Sequence, residues 1–203
     1  FYPAHHITTG EGGMICTNIE DLKREFTSFA WWGRDCYCDP GKDNTCGKRF
    51  SQNLGDLPSG YDHKYTYSHM GYNLKISDMQ AACALAQLDS LDAFIATRRS
   101  NFKYLNERLS FMQPYAHLPE PTPNSNPSWF GYTISLKDTS PLSRNQVVQA
   151  LNSQGVDTRL LFAGNVTKQP YMRNSEYREV TELAVTNQIM NNTFWVGLHH
   201  GLT

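Results

Sequence analysis

Apolar positions along the chain change period several times, and each change marks an element. Ile19, Leu22, Phe26 and Phe29 recur at spacings of three and four, the mark of an amphipathic helix, with Asn18 as a candidate N-cap and Gly33 as a C-terminal stop. Ahead of that helix, residues 5–17 read as two short strands around the turn TGEGG, where glycine permits positive φ. Over residues 33–73 the periodicity disappears, and a loop of that length in a compact domain calls for a purpose. Order returns at Ser77, which with Gln80 forms a capping-box signature before apolar spacings of three and four that run to Leu109. The pattern predicts one long helix there, or two in series.

Residues 118–127 contain four prolines, which bar both a helix and a central strand and predict an extended linker. Beyond it Phe130, Tyr132, Ile134 and Leu136 alternate as a strand does. A capped helix over 143–152 stopping at Gly155, a strand in VDTRLLF, a helix over 177–190 and a strand in TFWVGL complete the reading. The architecture is α/β: residues 1–109 as part of a larger domain, with the loop 33–73 and a bridging helix over 77–109, then a small α+β domain over 110–203.

Composition narrows the classes. The 203 residues hold 18 basic and 19 acidic side chains with both signs interspersed, so there is no basic field for nucleic acid. No apolar run approaches the roughly 20 residues that cross a bilayer, which excludes a helical membrane span and makes a cytoplasmic location the expectation. The chain starts at Phe1 without methionine and stops just after an apolar run, so a fragment cut at both ends is expected.

The sharpest local chemistry is C-x-C-x7-C at Cys36, Cys38 and Cys46, inside the aperiodic loop. In a chain without secretory features, clustered thiols point to a metal or redox site, whereas the isolated Cys16 and Cys83 read as small buried apolar residues. Zinc and iron-sulfur sites usually take four protein ligands, so a fourth is needed: a loop histidine such as His63 or His69, or a cysteine upstream of Phe1. The pair His5-His6 precedes the glycine turn; a local reading allows a packed pair as well as a proton-transfer site.

The stretches FYPAHHITTGEGGMICTN, WGRDCYCDPGKDNTCGKRF, YDHKYTYSHMGYNLKISDMQAA and RLLFAGNVTKQPY together resemble the DegT/DnrJ/EryC1/StrS family, and within it the branch of CDP-4-keto-6-deoxyhexose 3-dehydrases of O-antigen and lipopolysaccharide synthesis. The resemblance implies a type I PLP-dependent transferase (aspartate aminotransferase-like) fold, here the C-terminal part of the large domain plus the small domain. Ordinary members carry a Schiff-base lysine where this chain has His5. Imidazole has no amine to condense with an aldehyde, yet it titrates near neutrality, so the implied cofactor is non-covalent pyridoxamine 5'-phosphate and His5 is the implied proton-transfer base.

By the same resemblance Cys36, Cys38 and Cys46 are ligands of a [2Fe-2S] cluster that passes single electrons, with the fourth ligand upstream and an NADH-dependent flavin/iron-sulfur reductase as partner. Asn73 matches an asparagine that reaches the cofactor phosphate of a neighbouring subunit, which implies a homodimer; read locally it is a turn or cap residue. Lys75 stands where the family commonly has arginine. Tyr2 and Phe130 match pocket-lining aromatics, a type of residue that elsewhere is ordinary core. Alternatives are a plain sugar aminotransferase, which needs a lysine at position 5; a cluster-free GDP-4-keto-6-deoxymannose 3-dehydratase, against which the cysteines speak; and a zinc-binding interaction module.

Overall fold

Helix α1 (Glu20–Ala30) forms where the spacing of Leu22, Phe26 and Phe29 places it. Asn18 does not cap it: Ile19 holds the N-cap position without a side-chain bond, and Thr17 Oγ1 accepts from the Ile19 amide at 3.1 Å. Glu20 and Asp21 in the first turn suit the positive end of the helix dipole. At the other end, two of the carbonyls that every helix leaves open are satisfied by a distant segment, Tyr72 N donating to Phe29 O at 2.7 Å and Leu74 N to Ala30 O at 3.0 Å.

The computed structural model describes residues 1–202. The chain divides into two compact units, Phe1–Gln87 and Leu88–Thr203, a boundary well ahead of the one expected after Leu109. The bridging helix is two helices in series, α2 (Asp78–Leu88) and α3 (Leu91–Arg108). The Ser77–Gln80 capping box is present at the start of α2, with Ser77 N donating to Gln80 Oε1 at 3.0 Å and Gln80 N to Ser77 Oγ at 3.3 Å.

The two strands expected over residues 5–17 are absent; that segment is irregular. It is tied down by Thr9 N to Phe1 O at 2.9 Å and Thr8 N to Gln87 Oε1 at 2.8 Å, with Thr9 buried. Glycine density there costs backbone entropy that only a ladder partner would offset, and no described strand pairs with it. Cys16 and Cys83, expected to be buried, are exposed.

The second unit is an antiparallel sheet in the order β1-β2-β4-β3, from β1 (Ala116–His117), β2 (Gly131–Leu136), β3 (Thr158–Leu160) and β4 (Thr193–Gly197). The last strand in sequence sits between β2 and β3, with Ile134 opposite Phe194 and Thr158 opposite Val196. Alternation along β2 buries Tyr132, Ile134 and Leu136, which with Ala116, Phe194 and Leu198 form the core. Phe102, Leu105 and Leu109 pack against it from the α3 segment, and Val147, Val148 and Leu151 from α4 (Arg144–Ser153). A complete Ser143–Gln146 capping box starts α4.

Helix α5 (Ala184–Asn192) is shorter than the expected 177–190. The β-branched Val180 and Thr181 and the missing side-chain cap give residues 177–183 little reason to join it. Arg98 of α3 is only 1% exposed, and its Nη1 donates to the carbonyls of Trp129 and Phe130 at 3.4 Å and of Leu198 at 3.2 Å. It thereby ties the entry to β2 and the exit of β4 to one helix, and burial lowers its pKa from the ordinary value. No described helix is long and apolar enough to cross a membrane.

Candidate active site

His5 lies on an exposed turn, its amide donating to the Tyr2 carbonyl at 3.0 Å. The Tyr2 ring meets the imidazole edge-on with centroids 5.7 Å apart. Tyr2, expected from the resemblance to line the cofactor pocket, is thus a direct neighbour of His5. An exposed imidazole next to an aromatic ring is chemically suited to proton transfer at a flat conjugated ligand, and no lysine occupies this place, so the residues present fit a pyridoxamine group held without a covalent bond.

Asn73 is positioned by α1. Its backbone bridges Trp31, and its neighbours Tyr72 and Leu74 donate to the last α1 carbonyls. The return of the long loop to this point demands a close crossing of backbone at Gly33 and Gly71. Gly33 has φ +80, and a Cβ there would lie 1.7 Å from His69 O; a Cβ on Gly71 would lie 2.2 Å from Gly33 N. Lys75 Nζ sits over the Trp31 ring at 5.0 Å. Trp31, Lys75, Arg34, Cys36 and Cys38 line one cavity of about 200 Å³, so the asparagine-bearing segment and two of the three loop thiols share a neighbourhood. The Arg34 guanidinium lies over Trp32, Tyr65 and Tyr67 at 5.4, 5.7 and 5.9 Å.

The loop over 33–73 has almost no regular structure, but it is pinned. Arg49 makes a two-pronged bond to Asp62 at 3.0 and 2.8 Å, and Lys64 pairs with Asp43. Within it, Cys36, Cys38 and Cys46 are free thiols, each half-buried. Burial raises the Cys36 pKa, and the neighbouring Cys38 and Cys46 thiols add to that rise. Cys38 is lowered by its bond to Thr45 Oγ1, 3.0 Å away. The Lys48 amide donates to Cys46 Sγ at 3.4 Å.

Three thiols on one short segment, with Thr45 Oγ1 beside one sulfur and the Lys48 amide donating to another, have the donor chemistry of a thiolate-bound centre. Among the described residues, no group of three or more His, Cys, Asp or Glu side chains is arranged to hold a metal ion. The two histidines considered as a fourth ligand are otherwise engaged. His63 has hydrogen-bond partners at both ring nitrogens, and His69 Nε2 lies 3.3 Å from Ser28 Oγ with its ring against Phe29. The His63 engagement was not foreseen; the nearest signal in the sequence was the concentration of Asp, Asn and His in an otherwise aperiodic loop.

Phe130 belongs to the second unit, where its ring lies 5.1 Å from that of Trp195 and its carbonyl accepts from Arg98. The other expected site residues all lie in the first unit.

The model of the DegT/DnrJ/EryC1/StrS aminotransferase family matches residues 1–203. The chain belongs to this family. Among its relatives, the lipopolysaccharide biosynthesis protein RfbH of Salmonella typhimurium is 58% identical over the whole chain, which covers 46% of that protein. The dTDP-4-dehydro-2,6-dideoxy-D-glucose 3-dehydratase of Saccharopolyspora spinosa is 50% identical, again over the whole chain and 44% of that protein. The chain therefore spans about half the length of the curated relatives it matches.

Among solved structures, the E coli GDP-4-keto-6-deoxy-D-mannose-3-dehydratase with bound hydrated PLP matches with TM-score 0.73 at 25% identity, over 97% of this chain and 48% of that one. A DegT DnrJ EryC1 StrS aminotransferase from Brucella abortus matches with TM-score 0.70 at 18% identity, over 100% of this chain and 45% of that one. The fold is that of the PLP-dependent aminotransferases and dehydratases of this family, as the sequence implied.

Proposed function

We propose that the intact protein is a pyridoxamine-phosphate-dependent 3-dehydrase acting on a CDP-4-keto-6-deoxyhexose, and that it yields a 3,6-dideoxy sugar for lipopolysaccharide. The observation that carries this reading is the imidazole of His5 in the place of the family's lysine, next to the Tyr2 ring. Support comes from the 50% identical relative, which is named a 3-dehydratase, and from the 58% identical RfbH, named for lipopolysaccharide biosynthesis. When bound, the cofactor supplies an amine and a conjugated ring that accepts electron density.

The chain's own residues then have distinct tasks. His5 would carry a proton to and from the reacting centre on a ring nitrogen, Tyr2 beside it would line the cofactor site, and Asn73 would bind the phosphate of a cofactor in the second subunit of a homodimer. Cys36, Cys38 and Cys46 hold three corners of a [2Fe-2S] cluster whose electrons come from an NADH-dependent flavin/iron-sulfur reductase in the cytoplasm. The thiol donor set and the Lys48 amide bond to Cys46 Sγ support that assignment.

Two measurements on the intact protein test this together. Borohydride treatment after loading with pyridoxal phosphate should leave no pyridoxyl-lysine by mass spectrometry; an adduct on Lys64 or Lys75 would point to an aminotransferase instead. Metal analysis should find iron with acid-labile sulfide, and zinc alone would favour a structural metal module.

A further inference from the structure

We propose that His63 is a positioning residue: its buried imidazole clasps the two flanks of the cysteine segment and so sets where Cys36 and Cys38 stand relative to Cys46. The inference rests on the reading above for the purpose of the thiols, though not for the clasp itself.

The His63 residue is 3% exposed in a loop that is otherwise largely open to solvent. Its Nδ1 lies 2.9 Å from Gln52 Nε2, and an amide nitrogen can only donate, so Nδ1 accepts. On the other side Nε2 faces Asp35 Oδ2 at 2.5 Å, and since a carboxylate oxygen accepts, Nε2 donates. Ser68 Oγ donates to the other oxygen of the same carboxylate at 2.9 Å. Both ring nitrogens and both carboxylate oxygens are thus in use, as a buried polar group requires.

The partners are what give this network its meaning. Asp35 directly precedes Cys36, while Gln52 follows Cys46 on the far side of the segment. The backbone repeats the connection: His63 N donates to Arg49 O at 2.9 Å, Asp35 N to Thr66 O at 3.0 Å and Thr66 N to His63 O at 3.2 Å. Arg49 in turn grips Asp62, next to His63. One residue therefore joins the strand of chain entering the thiol segment to the strand leaving it. Between those flanks the segment is held mainly by short turns, Lys42 N to Asp39 O and Gly47 N to Asn44 O, both at 3.0 Å, and by the pairing of Lys64 with Asp43. Within the segment Cys38 Sγ also lies 3.0 Å from Thr45 Oγ1, an exposed contact, whereas the buried clasp ties the two flanks together from outside the segment.

The test uses arsenite as the probe, because trivalent arsenic binds tightly only where two or three thiols converge. The intact, reduced, metal-free protein and three variants are titrated, with the adduct read by native mass spectrometry. His63→Leu fills the space without hydrogen bonding and should weaken arsenite binding by about tenfold or more, as expected for losing a hydrogen bond to a charged group. His63→Gln keeps a donor for Asp35 and should recover most of that loss. Ser68→Ala removes one support from the same carboxylate and should weaken binding by roughly threefold, which keeps the idea testable if the leucine variant fails to fold.

Unchanged arsenite affinity in a folded His63→Leu protein overturns the clasp, as does unchanged affinity in Ser68→Ala when the leucine variant does not fold. So does a His63→Gln protein as weak as the leucine variant. Iron content of the unaltered protein separates the two claims. If it holds no iron, the cluster reading fails and the arsenite titration still decides the clasp. If it holds iron and His63→Leu both loads iron and binds arsenite equally well, the clasp alone is refuted.

Discussion

Replacing Gly33 by alanine would show whether the backbone crossing at Gly33 and Gly71 is what returns the cysteine loop to α1. Two costs can be separated at this position. With φ at +80 an L-residue gives up about 1–2 kcal/mol for left-handed backbone. The added methyl would also lie 1.7 Å from the His69 carbonyl oxygen, and backbone cannot rotate away as a side chain can. Relief requires the crossing to open, at the expense of the bonds that close it, Ser68 N to Gly33 O at 3.0 Å and Trp32 N to Tyr72 O at 2.7 Å. At a net 0.5–1.5 kcal/mol each, the total comes to about 2–5 kcal/mol.

Gly41 is the matched control, since it has φ +76 but nothing within 4 Å of its notional Cβ, so Gly41→Ala carries only the first cost. The assay is native-state trypsin cleavage at Lys42 and Lys48, whose rate follows the population of the opened loop. Gly33→Ala should raise cleavage well beyond Gly41→Ala. Equal rates in the two variants would refute the claim that close backbone approach, rather than left-handed geometry alone, requires glycine at 33.

Two further outcomes are expected. Tyr132→Phe removes the hydroxyl that donates to Asn106 Oδ1 at 2.9 Å in the core of the second unit, and should cost about 1 kcal/mol in urea unfolding; no change would mean that water serves Asn106 equally well. In the metal-free protein, iodoacetamide should label Cys38 before Cys36. The Thr45 bond lowers the Cys38 pKa while burial raises that of Cys36, so the Cys38 thiolate is present at a lower pH and its labelling profile is displaced to the acid side. Peptide mapping that finds Cys36 labelled first contradicts this.

The candidate site residues were legible in the chain because their motifs are contiguous. His5 with its glycine turn, the cysteine spacing, the Ser77–Gln80 box and the capped start at Ser143 are short-range patterns, and short-range patterns survive without tertiary context. The helices α1 and α4 and the strand β2 were legible for a similar reason, since one apolar stripe or one alternating face marks each. Residues 5–17 were misread as strands because β-propensity cannot say whether a partner strand exists. The helix expected over 177–190 begins only at Ala184 because the β-branched Val180 and Thr181 disfavour helix and Leu183 at the N-cap offers no side-chain bond.

What the sequence by itself determined is therefore the reactive inventory: a histidine pair ahead of a glycine turn, three thiols in one loop, a family and its fold. Only the tertiary structure decided which groups that inventory leaves engaged. His63 looked like a spare ligand and is instead bound at both nitrogens by Asp35 and Gln52, residues far from it in the chain. The placing of β4 between β2 and β3, and of Arg98 on carbonyls at the entry to β2 and the exit of β4, has the same origin. Local periodicity fixes which face of a segment is apolar; which distant group meets that face depends on closing long loops, and no pattern within a short window encodes that closure.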